Sequence, residues 1–270
     1  MALPQPSPTS TALVTGASSG IGAAVVRALA GRGHGVTLVA RREDRLRELA
    51  AELSDGMRAE VIGCDVSDPA ARDRMAQEVG SRGLEVEVLV NNAGFGTYGD
   101  FAHLGRERQV EMVRVNVEAV VDLEARFVPG MVERGRGAVI NVASTAAFQP
   151  LPGSATYAAT KAFVLSHGDA LHAELAEHGV AVTSVCPGPV RTEFTEVAGM
   201  RVAEESTPGA VWMSADAVAE QALEAAEGGR RVVVPGMLNQ AGALVGQHAP
   251  RMVALPLLRR AWRRVHSGPG

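Results

Sequence analysis

The chain has 270 residues, 46% of them hydrophobic and 21% charged, a balance that can bury a sizeable core, so wholesale disorder is excluded. Its 26 basic and 30 acidic residues give a formal charge of −4, without the basic surplus that nucleic-acid binders carry, and no nucleic-acid partner is expected. Cys64 and Cys186 lie far apart in sequence and the 7 histidines show no ligand-like spacing, so neither a disulfide framework nor a metal site has support, and a reducing cytoplasm fits.

In chain order, Met1 to Ser10 is uncharged and interrupted by prolines. It lacks the basic and apolar regions of a secretory signal and reads as a loose tail over residues 1–10. No stretch approaches about 18 uninterrupted apolar residues, so no transmembrane helix is expected. From Thr11 onward, short β-branched runs alternate with longer helical patterns, the mark of repeated βα units and a parallel sheet. Strands are predicted at Thr11 to Thr15, Val36 to Ala40, Ala59 to Cys64, Val86 to Val90, Ala138 to Ala143, Val180 to Cys186 and Val232 to Val234. After the second strand, Leu46, Leu49 and Leu53 recur at helical spacing, and Glu43 stands one turn before Arg47. Right-handed crossovers then give a Rossmann-like, doubly wound α/β fold: a seven-stranded parallel sheet with helices on both faces, in one domain over residues 11–250.

The first strand runs into Thr15-Gly16-Ala17-Ser18-Ser19-Gly20-Ile21-Gly22 and then a helical stretch. Glycines allow close backbone approach to a pyrophosphate, and the helix amides and dipole then face the phosphates, so Gly16, Ser18, Ser19, Gly20, Ile21 and Gly22 are candidate cofactor contacts. Gly16-Ala17-Ser18-Ser19-Gly20 also satisfies the G-x-S-x-G elbow of serine hydrolases. That elbow follows several earlier strands, whereas here only a tail and one strand precede it. The second strand ends at Ala40-Arg41-Arg42, where an NAD-binding fold usually places an acid against the ribose hydroxyls. Two guanidinium groups suit a 2′-phosphate instead, so NADPH is the expected cofactor. A solvated helix start is the bland reading of the same pair.

Of the 26 basic residues, only Lys161 is a lysine. It lies four residues after Tyr157, one of 2 tyrosines, so both project from one helical face. A phenol with a pKa near 10 is expected to ionise more easily beside an ammonium group. A surface i, i+4 pair is the alternative. The strand before it ends at Ser144, whose hydroxyl can emerge at the carboxyl edge of the sheet.

These landmarks, with Asn91-Asn92-Ala93-Gly94 and Pro187-Gly188, resemble the short-chain dehydrogenase/reductase family in its ordinary single-domain form, over roughly Thr11 to Thr192. The resemblance implies Tyr157 as acid/base, Ser144 as a polarising donor, Lys161 on the nicotinamide ribose, and Asn116 as anchor of a proton-relay water. It further implies Asp65 and Val66 at the adenine, and Asn91, Asn92, Ala93 and Gly94 along the cofactor. Pro187, Gly188, Val190 and Thr192 would then wrap the nicotinamide. Thr160 and Ala143 stand where the family often has serine. A homodimer or homotetramer is implied as well.

Glu193 to Trp212 corresponds to the family's substrate lid. Phe194, Met200 and Trp212, with Phe95, Phe148 and Leu151, point to a small apolar or acyl-type carbonyl substrate, or else simply pack in the core. Residues 251–270 mix leucines and Trp262 with arginines, a composition that suits an interfacial basic helix. A helix over the substrate cleft or a subunit contact is the favoured reading, with peripheral membrane contact the other. A cofactor-binding sensor without catalysis and an alcohol dehydrogenase working in the oxidative direction also stay open.

Overall fold

The computed structural model describes residues 3–53, 56–199 and 208–266. Among them, seven strands form one parallel sheet: β1 (Ser10–Thr15), β2 (Val36–Ala40), β3 (Ala59–Gly63), β4 (Glu85–Asn91), β5 (Gly137–Val142), β6 (Val180–Val185) and β7 (Val232–Val233). Their spatial order is β3-β2-β1-β4-β5-β6-β7; the sheet is parallel and doubly wound as the alternating pattern predicts, and each strand lies within two residues of its expected bounds. β1 pairs in parallel with both β2 and β4, so the direction of winding reverses between β1 and β4. At such a switch point the connecting loops diverge and leave a crevice beyond the carboxyl ends of the strands.

The helices explain why most strands are buried on both faces. α1 (Gly20–Gly31), α2 (Glu43–Glu52) and α3 (Pro69–Ser81) follow β1, β2 and β3 in turn. α4 (Arg106–Val113) continues through a π-turn (Arg114–Glu118) into α5 (Ala119–Glu133), and α6 (Ala155–Leu175) joins β5 to β6. The short α7 (Phe194–Val197), then α8 (Ala215–Glu227), α9 (Met237–His248) and α10 (Arg251–His266) complete the described chain. One core packs Leu29, Leu38, Leu46 and Leu223 on one side of the sheet, and a second packs Leu13, Met75, Leu89, Met112 and Leu123 on the other. Alternating residues of a single strand divide between these cores: Ala12 and Val14 face one, Leu13 the other. In α2, Leu46 and Leu49 are buried and Leu53 packs against the same core from the C-cap.

The amino-terminal segment departs from the expected loose tail. It forms no regular element before Ser10, yet Leu3 is buried in the first core. Arg58 donates to the carbonyls of Pro8 and Ser10. A buried leucine and a guanidinium clamp hold the proline-rich stretch down, and the absence of charge in this segment concealed both.

Candidate active site

The crevice at the switch point is a cavity of about 600 Å³. The glycine-rich loop lines one wall through Gly16, Ser18, Ser19, Gly20 and Ile21. Gly16 and Gly20 both adopt positive φ, +66° and +57°, conformations that favour glycine. Gly22 does not line the cavity but closes the loop from behind, since a β-carbon there would lie 2.4 Å from the Gly16 carbonyl oxygen. Across the gap, a β-carbon on Gly20 would lie 3.0 Å from Thr192 Cγ2. The first-turn amides of α1, which helix geometry leaves without intrahelical partners, open into this cradle. Its narrowness, lack of side chains and helix-end dipole fit a dinucleotide pyrophosphate.

Arg41 and Arg42 both line the cavity, ahead of α2 rather than within it. Arg42 donates through Nη2 to the Ser18 and Ser19 hydroxyls at 3.1 and 3.0 Å, and through Nη1 to Glu193 Oε2 at 3.0 Å. Arg41 is largely exposed, with its guanidinium 3.8 Å from Glu111. Glu193 is also paired with Arg45 at 3.6 Å, and its hydrogen bond with Arg42 holds its carboxyl below the ordinary glutamate range. The pair supplies a cationic corner of the kind a 2′-phosphate requires. Nothing in the sequence near Arg42 signals a carboxylate arriving 151 positions later.

Asp65, Val66, Asn92, Ala93 and Gly94 continue the lining between the two ends. Asp65 Oδ1 is held by the Ser67 amide and hydroxyl at 2.9 and 2.8 Å. Asn92 Nδ2 donates to the Thr15 carbonyl at 2.9 Å, while the Thr15 hydroxyl accepts the Asn92 and Ala93 amides, each at 3.0 Å. Asn91 corrects an expectation: as the last residue of β4 it points into the protein and donates to Asn141 Oδ1 at 2.9 Å, away from the cavity. Adjacent residues in a strand face opposite sides, so only one asparagine of the pair can face a ligand.

At the far end, Ser144 projects from the end of β5, and Tyr157 and Lys161 from the first turns of α6; all three line the cavity. The Tyr157 phenol lies beside the Ser144 hydroxyl, whose influence favours the phenolate. Lys161 is 5% exposed and donates to the Val142 carbonyl at 2.7 Å, with Nζ 6.0 Å from the Tyr157 ring centroid. The expected easing of phenol ionisation is not what this arrangement yields. Burial pushes the Tyr157 phenol up to about 12, with the Ser144 hydroxyl acting the other way. Burial also brings Lys161 down to about 8. Desolvation of each charged form outweighs an attraction acting over that distance.

Asn116 sits in the π-turn, 1% exposed and behind the cavity lining. Its Nδ2 donates to the Phe95 carbonyl and to Thr160 Oγ1, both at 3.0 Å, and its Oδ1 accepts the Phe95 amide at 3.1 Å. Thr160 in turn donates to the Tyr157 carbonyl at 2.7 Å. Thr160 therefore carries Asn116 to the helix that holds Tyr157, and its hydroxyl does what a serine there would do. A β-carbon on Gly94 would lie 3.1 Å from Asn116 Oδ1 and 3.4 Å from Lys161 Nζ, so the asparagine and the lysine converge on one glycine.

Pro187, Gly188, Val190 and Thr192 form the wall facing Ser144. Phe194 tilts over Tyr157 with ring centroids 5.5 Å apart. Phe95, Leu151 and Trp212 also line this end. Phe148 does not; it packs against Val120, Val164 and Cys186 beneath the sheet edge. Met200 lies outside the described residues. Arg108, which no local motif marks, sits 3.7 Å over the Phe95 ring and also lines the cavity.

The glycine cradle, the cationic corner and the Ser144–Tyr157–Lys161 set thus share one crevice. A family model described as short chain dehydrogenase matches residues 10–201. The chain belongs to the short-chain dehydrogenase family. It is 37% identical over 187 residues to the NADP-dependent 3-hydroxy acid dehydrogenase of Escherichia coli, covering 68% of this chain and 75% of that one. A short-chain dehydrogenase from Sphingobium yanoikuyae, solved in complex with NADPH, superposes with a TM-score of 0.78 at 34% identity, covering 93% of this chain and 94% of that chain. The bulky-bulky ketone specific alcohol dehydrogenase of Comamonas testosteroni has a TM-score of 0.73 at 28% identity, covering 93% and 92%. This short-chain dehydrogenase is accordingly an NAD(P)-dependent oxidoreductase acting between hydroxyl and carbonyl groups.

Proposed function

We propose that this short-chain dehydrogenase reduces a small, largely apolar ketone or aldehyde at the expense of NADPH. The observation that carries the reading is that Ser144, Tyr157 and Lys161 line the same crevice as the glycine cradle and Arg42. The named cofactors of the Escherichia coli and Sphingobium relatives support the choice of NADPH.

When bound, the reduced nicotinamide supplies the hydride. Gly16, Gly20 and the start of α1 would hold its pyrophosphate, Arg41 and Arg42 its 2′-phosphate, Asp65 and Val66 its adenine side, and Lys161 its nicotinamide ribose. Ser144 and Tyr157 present two hydroxyls to the substrate oxygen and donate to it as negative charge develops there. Tyr157 then releases its proton to that oxygen as general acid. A phenol pushed up to about 12 is protonated at neutral pH and so has a proton to give to the substrate oxygen. The Lys161 ammonium, held by the Val142 carbonyl, is placed to offset charge left on the phenol. Phe95, Leu151, Phe194 and Trp212 give the substrate end an apolar wall, which favours unfunctionalised carbonyl compounds over sugars. Exposed Val110, Val113, Val121 and Phe163 on α4, α5 and α6 support the homo-oligomer that the family resemblance implies.

The test is NADPH consumption across a panel of ketones, aldehydes and acyl thioesters, with Tyr157→Phe alongside. The variant should lose about 10²-fold or more in kcat while retaining NADPH affinity. Near-normal turnover, or activity confined to hydrophilic sugars, would overturn the proposal.

A further inference from the structure

We propose that the carboxyl-terminal helices α9 and α10 form a docking face for an anionic phospholipid bilayer. Among the described residues, eight of the fourteen exposed large hydrophobics lie between positions 237 and 257, far more than this short segment would hold by chance. In α9 they are Met237, Leu238, Leu244 and Val245; in α10 they are Met252, Val253, Leu255 and Leu257. Met237 and Met252 are 86% and 90% exposed. Both helices also contact the body of the protein. Asn239 and Ala243 of α9 are buried, and Trp262 of α10 lies where a β-carbon on Gly153 would come within 2.5 Å of its indole nitrogen. The apolar faces are therefore not core positions left open by poor packing.

Charge decides the occupant. From Met237 onward the sequence holds five arginines and no acidic residue, against twenty-one basic and thirty acidic residues before it. Within α10, Arg259 and Arg260 are exposed directly after the apolar stretch, and Arg263 and Arg264 follow in sequence. Two copies of this face meeting about a two-fold axis would set arginine against arginine. A nucleic acid would meet the cations but leave the methionine and leucine stripe in water. An anionic bilayer satisfies both, because apolar side chains enter the acyl boundary while guanidinium groups stay at the phosphates. No helix among the described residues is long and apolar enough to cross a membrane, so the contact is peripheral. The face adjoins the active site: Trp262 reaches Gly153, and Gly246 of α9 lies against Gln149, both on the segment that lines the substrate end of the cavity.

The experiment is co-sedimentation of the full chain with vesicles of phosphatidylcholine alone or mixed with phosphatidylglycerol. The protein should pellet with the mixed vesicles, less so as salt is raised, and stay in solution with the neutral ones. Arg259→Gln with Arg260→Gln should weaken binding roughly fivefold per arginine. Met252→Gln with Leu257→Gln should abolish it, and both pairs should keep wild-type turnover of a soluble ketone. Equal pelleting with neutral vesicles, none with anionic ones, or a change of oligomeric state in these variants with vesicle binding intact would each overturn the proposal.

Discussion

Arg42 and Glu193 together set how strongly the cationic corner prefers a phosphate. Arg42→Ala removes a fork that reaches both loop hydroxyls and the Glu193 carboxylate at 3.0 to 3.1 Å. Hydrogen bonds between charged groups contribute about 1.5–3 kcal/mol each. Arg42 is 45% exposed, so solvent screening places the loss at the low end, roughly tenfold in Kd for NADPH. NADH carries no 2′-phosphate, and its affinity should change by less than about twofold. Glu193 occupies the same guanidinium, and an exposed pair of this kind contributes about 0.2–1 kcal/mol. Glu193→Gln should therefore tighten NADPH by up to about fivefold, an advantage that fades at high ionic strength. The double variant separates competition for Arg42 from direct repulsion between carboxylate and phosphate, because only the repulsion survives once Arg42 is gone. Fluorescence titration with each cofactor reads all four proteins. Equal losses for NADH and NADPH in Arg42→Ala, or weaker NADPH binding in Glu193→Gln, would refute the reasoning.

Lys161→Arg keeps the charge but forces a planar fork into a site 5% exposed and matched to the Val142 carbonyl; kcat should fall about 10²-fold or more, and any limb of the pH–rate profile near 8 should disappear. Gly153→Ala places a β-carbon at a φ of +84° and 2.5 Å from the Trp262 indole, so it should cost about 1–2 kcal/mol and alter tryptophan fluorescence, with an unchanged melting temperature counting against the packing described. His167 Nε2 meets the buried Glu124 Oε2 at 2.8 Å, and that hydrogen bond raises the imidazole pKa. A raised folded-state pKa adds stability that is complete below about pH 6.5 and lost as pH rises through the folded value. The Tm gap between the native chain and His167→Gln should accordingly narrow from pH 6 to 8, and a constant gap would show that the pair does not titrate there.

The sheet was legible because most of its strands are buried on both faces and read as short, mainly apolar runs, whereas the crevice was legible because glycines mark where side chains would obstruct. Ser144, Tyr157 and Lys161 could be placed together from one helix and one strand end. The direction of the Tyr157 shift could not, since spacing along a helix says that two groups share a face but not how much water reaches them. Asn91 turns away from the cavity because a motif names neighbours in sequence while a strand sends alternate neighbours to opposite sides, and Phe148 takes the core position left open as its alternative. Glu193 and the Thr160 bridge join residues dozens of positions apart, and Arg108 meets Phe95 across an intervening loop, contacts that no local pattern records. Leu3 shows the converse, a single apolar residue in a polar-looking stretch that burial alone reveals.

Thr15 has a bearing on how cofactor use in this protein could be re-engineered. Its hydroxyl takes the amides of Asn92 and Ala93 while donating to the Val90 carbonyl at 3.2 Å, so one oxygen ties the start of the glycine-rich turn to the Asn92–Ala93 shelf of the cavity. On the proposed reading, a change at this seam would shift both ends of the dinucleotide at once and confound selectivity with loss of affinity. Arg41 stands clear of it, whereas Arg42 is tied to the glycine-rich turn through Ser18 and Ser19, so on the proposed reading Arg41 is the place where the adenosine end can be rewritten while the reacting end keeps its geometry.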